Sequence, residues 1–115
     1  MPNFYEINKI NKSNKIEKTK PRWELLPLST MESIVKVFTF GAQKYEDFGW
    51  IKGTESEHYS SLMRHISSWF QGDKLDAESG QSHLAHAACR LICLMYIEFS
   101  DDLRDDKNHP FVPKD

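Results

Sequence analysis

Residues 82–100 read SHLAHAACRLICLMYIEFS, and this stretch decides the fold. Leu84, Ala85, Ala88, Leu91, Ile92, Met95, Tyr96 and Phe99 recur at three- and four-residue spacing, which predicts a helix with one broad apolar face. Ala87, Cys89, Leu94 and Ile97 cover much of the remaining circumference. A helix apolar nearly all round is buried on several sides. In a chain of 115 residues, enough for one domain, that predicts helical neighbours within the chain and a subunit interface beyond them. Ser82 is placed to cap the start of this helix.

Upstream, Asp76-Ala77-Glu78-Ser79-Gly80 reads as an acidic loop. Before it, Thr54 stands three residues ahead of Glu57 and predicts a second helix start. Tyr59, Leu62, Met63, Ile66, Trp69 and Phe70 then form a wide stripe expected to be buried, and Gly72 suits the residue just past the helix end. Gly49 and Gly53 surround Trp50 as a loop with a buried anchor. Ser29 and Glu32 have the spacing of a reciprocal cap, so the first helix is expected to begin near Ser29. It carries Ile34, Val35, Val37 and Phe38 on its apolar face and is ended or interrupted at Gly41 or near Lys44-Tyr45. Pro21 and Pro27 bracket a short extended segment. No strand pattern or internal repeat is present. The expected fold is therefore all-α: a small helical bundle of three to four main helices with an irregular N-terminal arm, completed by oligomerisation. Residues 1–19 are expected to form a basic arm, 20–104 a single helical domain and 105–115 an acidic tail.

A formal net charge of −2 gives no argument for direct nucleic-acid binding, and none is expected. The N-terminus lacks the apolar run of a secretory leader. The stretch from Ala85 to Ile97 is interrupted by His86 and Arg90 and is shorter than the roughly 20 residues a membrane span needs. Cys89 and Cys93 read as buried free thiols of a reducing cytoplasm. As a metal site, the pair lacks a second pair of ligands.

Candidate chemistry gathers around the acidic loop. His83 and His86, spaced i, i+3, project from one side of a helix start. With Asp76 and Glu78 they can ligate a divalent metal, hold a phosphate, or serve as interior histidines bonded to the loop. The helix N-terminus at Ser82 adds an attraction for anions. Arg64 and His65 lie within the apolar period of the second helix, and Arg90 lies within that of the third. An arginine so placed either pairs with a carboxylate such as Asp76 or Glu78, snorkels outward, or meets an anionic ligand. Lys44 can contact phosphate and Tyr45 can stack on a base. Trp50 and Trp69 read as core aromatics, with Trp50 also a candidate ligand contact.

The run from Lys20 to Pro27, then Phe40-Gly41-Ala42-Gln43-Lys44-Tyr45 with Trp50 and Gly53, opens a longer pattern. It continues through Arg64-His65, Trp69, Gly72-Asp73 and Asp76-x-Glu78-Ser79-Gly80-x-x-His83-Leu84-Ala85-His86-Ala87-Ala88. This pattern, over about residues 20–97, resembles a phage-associated helical family, the dATP/dGTP diphosphohydrolase N-terminal domain. That family is similar to the all-α, MazG-type nucleoside triphosphate pyrophosphohydrolases. The resemblance implies a nucleotide ligand, a homo-oligomer from dimer to tetramer or higher, and the cytoplasm of an infected cell if phage-encoded. It also implies Mg2+ or Mn2+ on Asp76 and Glu78, one of which or a histidine activates water. Lys44, Arg64 and Arg90 neutralise charge, and a purine dNTP yields dNMP and pyrophosphate. The chain departs from MazG-type enzymes in having no Glu-x-x-Glu, and its Glu98-x-x-Asp101 lies at the far end of the third helix. A second expectation is therefore a metal-free nucleotide sponge that sequesters a signalling nucleotide of host antiviral defence.

Overall fold

The structure is a computed structural model that describes residues 20–100. The basic arm, the acidic tail and Asp101 lie outside the described residues. A 3-10 turn (Trp23–Leu25) precedes helix α1 (Leu28–Lys44), a second 3-10 turn (Gly49–Lys52), helix α2 (Glu55–Phe70) and helix α3 (His83–Glu98). No strand is present among the described residues, as an all-α chain requires. None of the described helices is long and apolar enough to cross a membrane.

Local chemistry sets the helix ends. Thr54 accepts from the backbone N–H of Glu57, and Ser82 accepts from that of Leu84. At the end of α2, Gly72 takes φ +99° while its N–H donates to Trp69 and that of Asp73 to Ser68. This double closure needs a left-handed residue, which glycine adopts without a Cβ clash. Helix α1 starts at Leu28, beside the expected Ser29, but behind Pro27 and with no side-chain cap. The carbonyl of Pro27 already accepts from Thr30 and Met31, so the fixed φ of proline starts the helix and leaves Ser29 inside it. Of the two expected ends, α1 takes the one at Lys44-Tyr45; Gly41 does not interrupt it, because Tyr45 N–H still bonds its carbonyl.

Helices α2 and α3 run antiparallel, since His65 meets His83 while His58 meets Arg90. The face α2 turns inward is not the expected stripe. His58 and Ser61 are buried there, whereas Tyr59, Met63, Trp69 and Phe70 are exposed. The reason lies on α3: His83 and Arg90 bring polar atoms into the seam, and these need hydrogen-bonding partners from the facing helix. Helix α3 buries its small side, with Ala85, Ala87, Cys89, Cys93 and Ile97 inside and Leu84, Leu91, Met95 and Phe99 exposed. Helix α1 packs onto α3 through Val37, Ala85 and Cys89, flanked by Ile34 and Phe38. Phe38, Trp50 and Tyr96 continue that contact edge to face, with centroids 6.0 and 5.1 Å apart, and so pin the second 3-10 turn.

Two glycines are expected to respond oppositely to alanine. A Cβ at Gly53 would lie 2.8 Å from Nε2 of the fully buried His58. Gly53→Ala is expected to destabilise the fold by about 1–3 kcal/mol through overpacking. A methyl group at Gly41 would meet open space, so Gly41→Ala should stabilise α1 by about 0.5–1 kcal/mol. Thermal unfolding of both variants checks the two signs.

Candidate functional site: a cleft beside a histidine cluster

Two polar clusters lie along the α2–α3 seam. The first is built on the loop between the helices. Asp76 N–H donates to the Gln81 carbonyl, Gly80 N–H donates to the Asp76 carbonyl, and Leu75 bridges to Ser82. Inside this turn, Ser79 donates both its backbone N–H and its hydroxyl to Asp76 Oδ2, at 2.9 and 3.0 Å. With its one hydroxyl proton committed to Asp76, Ser79 Oγ must accept at its 2.6 Å contact with His86 Nε2. His86 therefore donates from Nε2, and its Nδ1 holds the lone pair when the ring is neutral.

His65 stacks on His86 with centroids 4.5 Å apart and rings 14° from parallel. Its Nδ1 lies 2.8 Å from Nδ1 of His83, whose Nε2 lies 3.2 Å from Asp73 Oδ2. A carboxylate only accepts, so His83 donates from Nε2 to Asp73. Two neutral rings then require His65 to donate from Nδ1 to His83. Burial, with His86 and His83 nearby, pushes the His65 pKa down to about 4. Burial lowers that of His86 as well. Burial opposes the charged form of Asp76, but the Ser79 hydrogen bonds and His86 outweigh it and hold the carboxyl below its usual range.

The second cluster lies on the side of α3 toward the 3-10 turn. Arg90 donates from Nη1 to His58 Nδ1 at 3.0 Å, and His58 Nε2 lies 3.0 Å from the Trp50 carbonyl. The carbonyl accepts, so His58 carries its proton on Nε2 and receives the guanidinium on Nδ1. Arg90 is half-buried and forms no ion pair with a carboxylate among the described residues.

Between α1, the 3-10 turn and α3 opens a cleft of about 860 Å³, lined among others by Tyr45, Phe48, Trp50, Lys52, His86 and Arg90. Four of the residues singled out by sequence, Tyr45, Trp50, His86 and Arg90, thus share one space. His65, His83 and Asp76 gather next to it without lining it. Lys44 and Glu78 form an ion pair that ties the end of α1 to the acidic loop. The Glu78 carboxylate holds the Lys44 ammonium above its usual pKa. Arg64 stands apart: it bonds Ser60 Oγ at 2.7 Å on the outer side of α2. Sequence reasoning missed His58. Its signal was its place seven residues before His65, which sets both on one helical face. Cys89 and Cys93 are buried free thiols. Donation of its S–H to the Cys89 sulfur and burial both push the Cys93 thiol up.

Compared with known proteins, residues 10–107 match a family model described as dATP/dGTP diphosphohydrolase, N-terminal. No curated protein and no solved structure matches.

The histidine pKa values predict a stability change with pH. The fold keeps His65 neutral, with a pKa of about 4 against roughly 6.5 when unfolded. The unfolded chain therefore binds more protons between these values, and stability falls as pH drops from 6.5 toward 4. Melting curves from about pH 7.5 to about pH 4.5 in chelator-containing buffer should show a falling Tm, with a shallower slope for His65→Gln.

Proposed function

Because the chain belongs to the dATP/dGTP diphosphohydrolase N-terminal family, we propose that it binds a purine deoxynucleotide in the cleft between α1 and α3. The observation that carries this reading is Arg90. Among the described residues, this half-buried guanidinium bonds a histidine ring and pairs with no carboxylate, which leaves donors and positive charge at the cleft wall. Burying such a charge is costly unless an anion completes it, and arginine is suited to phosphate. His86 supplies a second polar group one helical turn away. Tyr45 and Phe48, 75% and 71% exposed at the rim, offer faces for a base. Trp50 is held edge-on by Phe38 and Tyr96 and acts as a wall.

The family description supports dATP or dGTP as ligand, with hydrolysis to dNMP and pyrophosphate as the reaction. A second reading, retention of a nucleotide without turnover, draws on the carboxylates. Glu78 is paired with Lys44, and Asp76 is engaged by Ser79. They do not form a Mg2+ cage with a third oxygen ligand among the described residues. Under that reading the protein sequesters a nucleotide signal of host defence. Release of pyrophosphate from dATP and dGTP with Mg2+ or Mn2+ separates the two: turnover supports the hydrolase, and calorimetric binding of unchanged nucleotide supports the sponge.

Arg90→Gln is expected to weaken nucleotide binding by about 1.5–3 kcal/mol, roughly 10- to 150-fold in Kd. Tyr45→Ala, on the exposed rim, should cost about 1 kcal/mol or more through lost stacking while leaving Tm unchanged. Undiminished binding in both variants would remove the ligand from this cleft. Assembly belongs to the same reading. Leu84, Leu91, Met95 and Phe99 line the outer side of α3 at seven- and four-residue spacing, the pattern of a helix–helix seam, and its occupant is a second copy of the chain. Wild-type protein should sediment as an oligomer that Leu91→Lys dissociates.

A further inference from the structure

We propose that His65, His83 and Asp76 form a binding site for one divalent transition metal ion of the Zn2+ or Co2+ type, bridging α2, the acidic loop and α3. The site goes beyond the nucleotide cleft and does not depend on it. One ligand atom from each of the three residues lies within 4.8 Å of the other two. Among the described residues, this is the group of three or more His, Cys, Asp or Glu side chains that converges in this way.

The two imidazole Nδ1 atoms are 2.8 Å apart. At a tetrahedral ion with bonds of about 2.05 Å they would stand roughly 3.3 Å apart, so the rings need to part by only about half an ångström. The ion takes the place of the proton the two rings now share.

The surroundings are those of an oriented site rather than a chance grouping. Asp73 Oδ2 lies on His83 Nε2 at 3.2 Å and leaves Nδ1 to face the ion, the carboxylate–histidine–metal arrangement that fixes ring and tautomer. Ser79 holds Asp76 through Oδ2 with two hydrogen bonds, so Oδ1 remains for coordination. His86 stacks on His65 and keeps that ring from rotating. Three protein ligands leave a tetrahedral ion one open position.

Two nitrogens and one oxygen suit a borderline ion. Mg2+ prefers an octahedral shell of oxygens and keeps much of its water. Glu78, which the family resemblance pairs with Asp76 for Mg2+, instead faces Lys44. The converging ligands therefore differ both in membership and in chemistry from the carboxylate pair expected for Mg2+.

The test uses the full chain, stripped with chelator and free of nucleotide, so its outcome is independent of the cleft. Co2+ titration followed in the visible spectrum should reach one ion per chain with the intense absorption of a low-coordinate, nitrogen-bound ion. Zn2+ should compete for the site and raise Tm, while equal Mg2+ should do neither. Asp73 is a positioning residue on the surface, and Asp73→Asn should lower Co2+ and Zn2+ affinity by about 10- to 100-fold without unfolding the chain. His65→Asn and His83→Asn should remove the spectrum, and Glu78→Gln should keep it. A wild-type chain that takes up neither ion overturns the assignment. So does a spectrum unchanged in both Asp73→Asn and His65→Asn, which would leave the cluster a hydrogen-bond network only.

Discussion

The bundle rests on the need of buried polar atoms for partners along the α2–α3 seam. His58 is fully buried and His83 nearly so, and each meets a side chain from the opposite helix. Contacts between His65 and His83 near the loop, and between His58 and Arg90 two turns further along, fix the register at two points. A one-residue slip would turn each helix by about 100° and strand these groups, at about 1–3 kcal/mol for each unsatisfied one. In the observed register every buried side-chain nitrogen and oxygen among the described residues has a partner. Apolar packing alone tolerates such slips far better than a hydrogen-bonded seam does.

The cleft follows from that register. Turning its polar and small side toward α2 and α1, α3 presents Ala85 and Cys89 to Val37, and these short side chains let α1 approach closely. The Lys44–Glu78 ion pair then draws the end of α1 onto the acidic loop. From that end the chain must turn back into α2. It does so through Phe48, held at φ +58°, and a 3-10 turn anchored by Trp50. The strained, exposed turn becomes the rim, and Arg90 stands at the wall because its partner His58 lies beneath the same turn.

Much of this was legible in the amino-acid sequence, and what was hidden has a physical reason. Thr54, Gly72 and Ser82 mark helix ends through bonds a few residues long, so local sequence suffices to find them. Helical periodicity likewise revealed α2 and α3 as elements. It could not say which side of α2 faces α3, because an apolar stripe reports what water rejects, whereas the polar partners on α3 decided the packing. The same rotation explains Arg64. Neighbours on a helix point about 100° apart, so when His65 turns inward Arg64 turns away. His86, Arg90, Tyr45 and Trp50 were recognised as candidates individually, but their sharing of one cleft depends on α1 docking, which sequence spacing does not encode. The start of α1 was found to within a residue, but its cap was not, because the backbone of Pro27 does what a side-chain cap at Ser29 was expected to do.

Charge is sorted along α3 in a way that links its two clusters. Near its start, Asp73 and Asp76 set carboxylates against the rings of His83 and His86, a setting that favours a cation. One turn after His86 comes Arg90, bonded to the His58 ring and to no carboxylate among the described residues, a setting that favours an anion. His86 stands between them: it bonds Ser79 on the acidic side and lines the cleft on the other. Opposite preferences within one helical turn, roughly 5 Å of rise, lie within reach of a single polyphosphate carrying a divalent ion. Neither cluster needs the other in order to fold, since each closes its own hydrogen bonds. Their adjacency suits the nucleotide reading proposed above, in which one ligand bears both charges, while each cluster also pins the helix register.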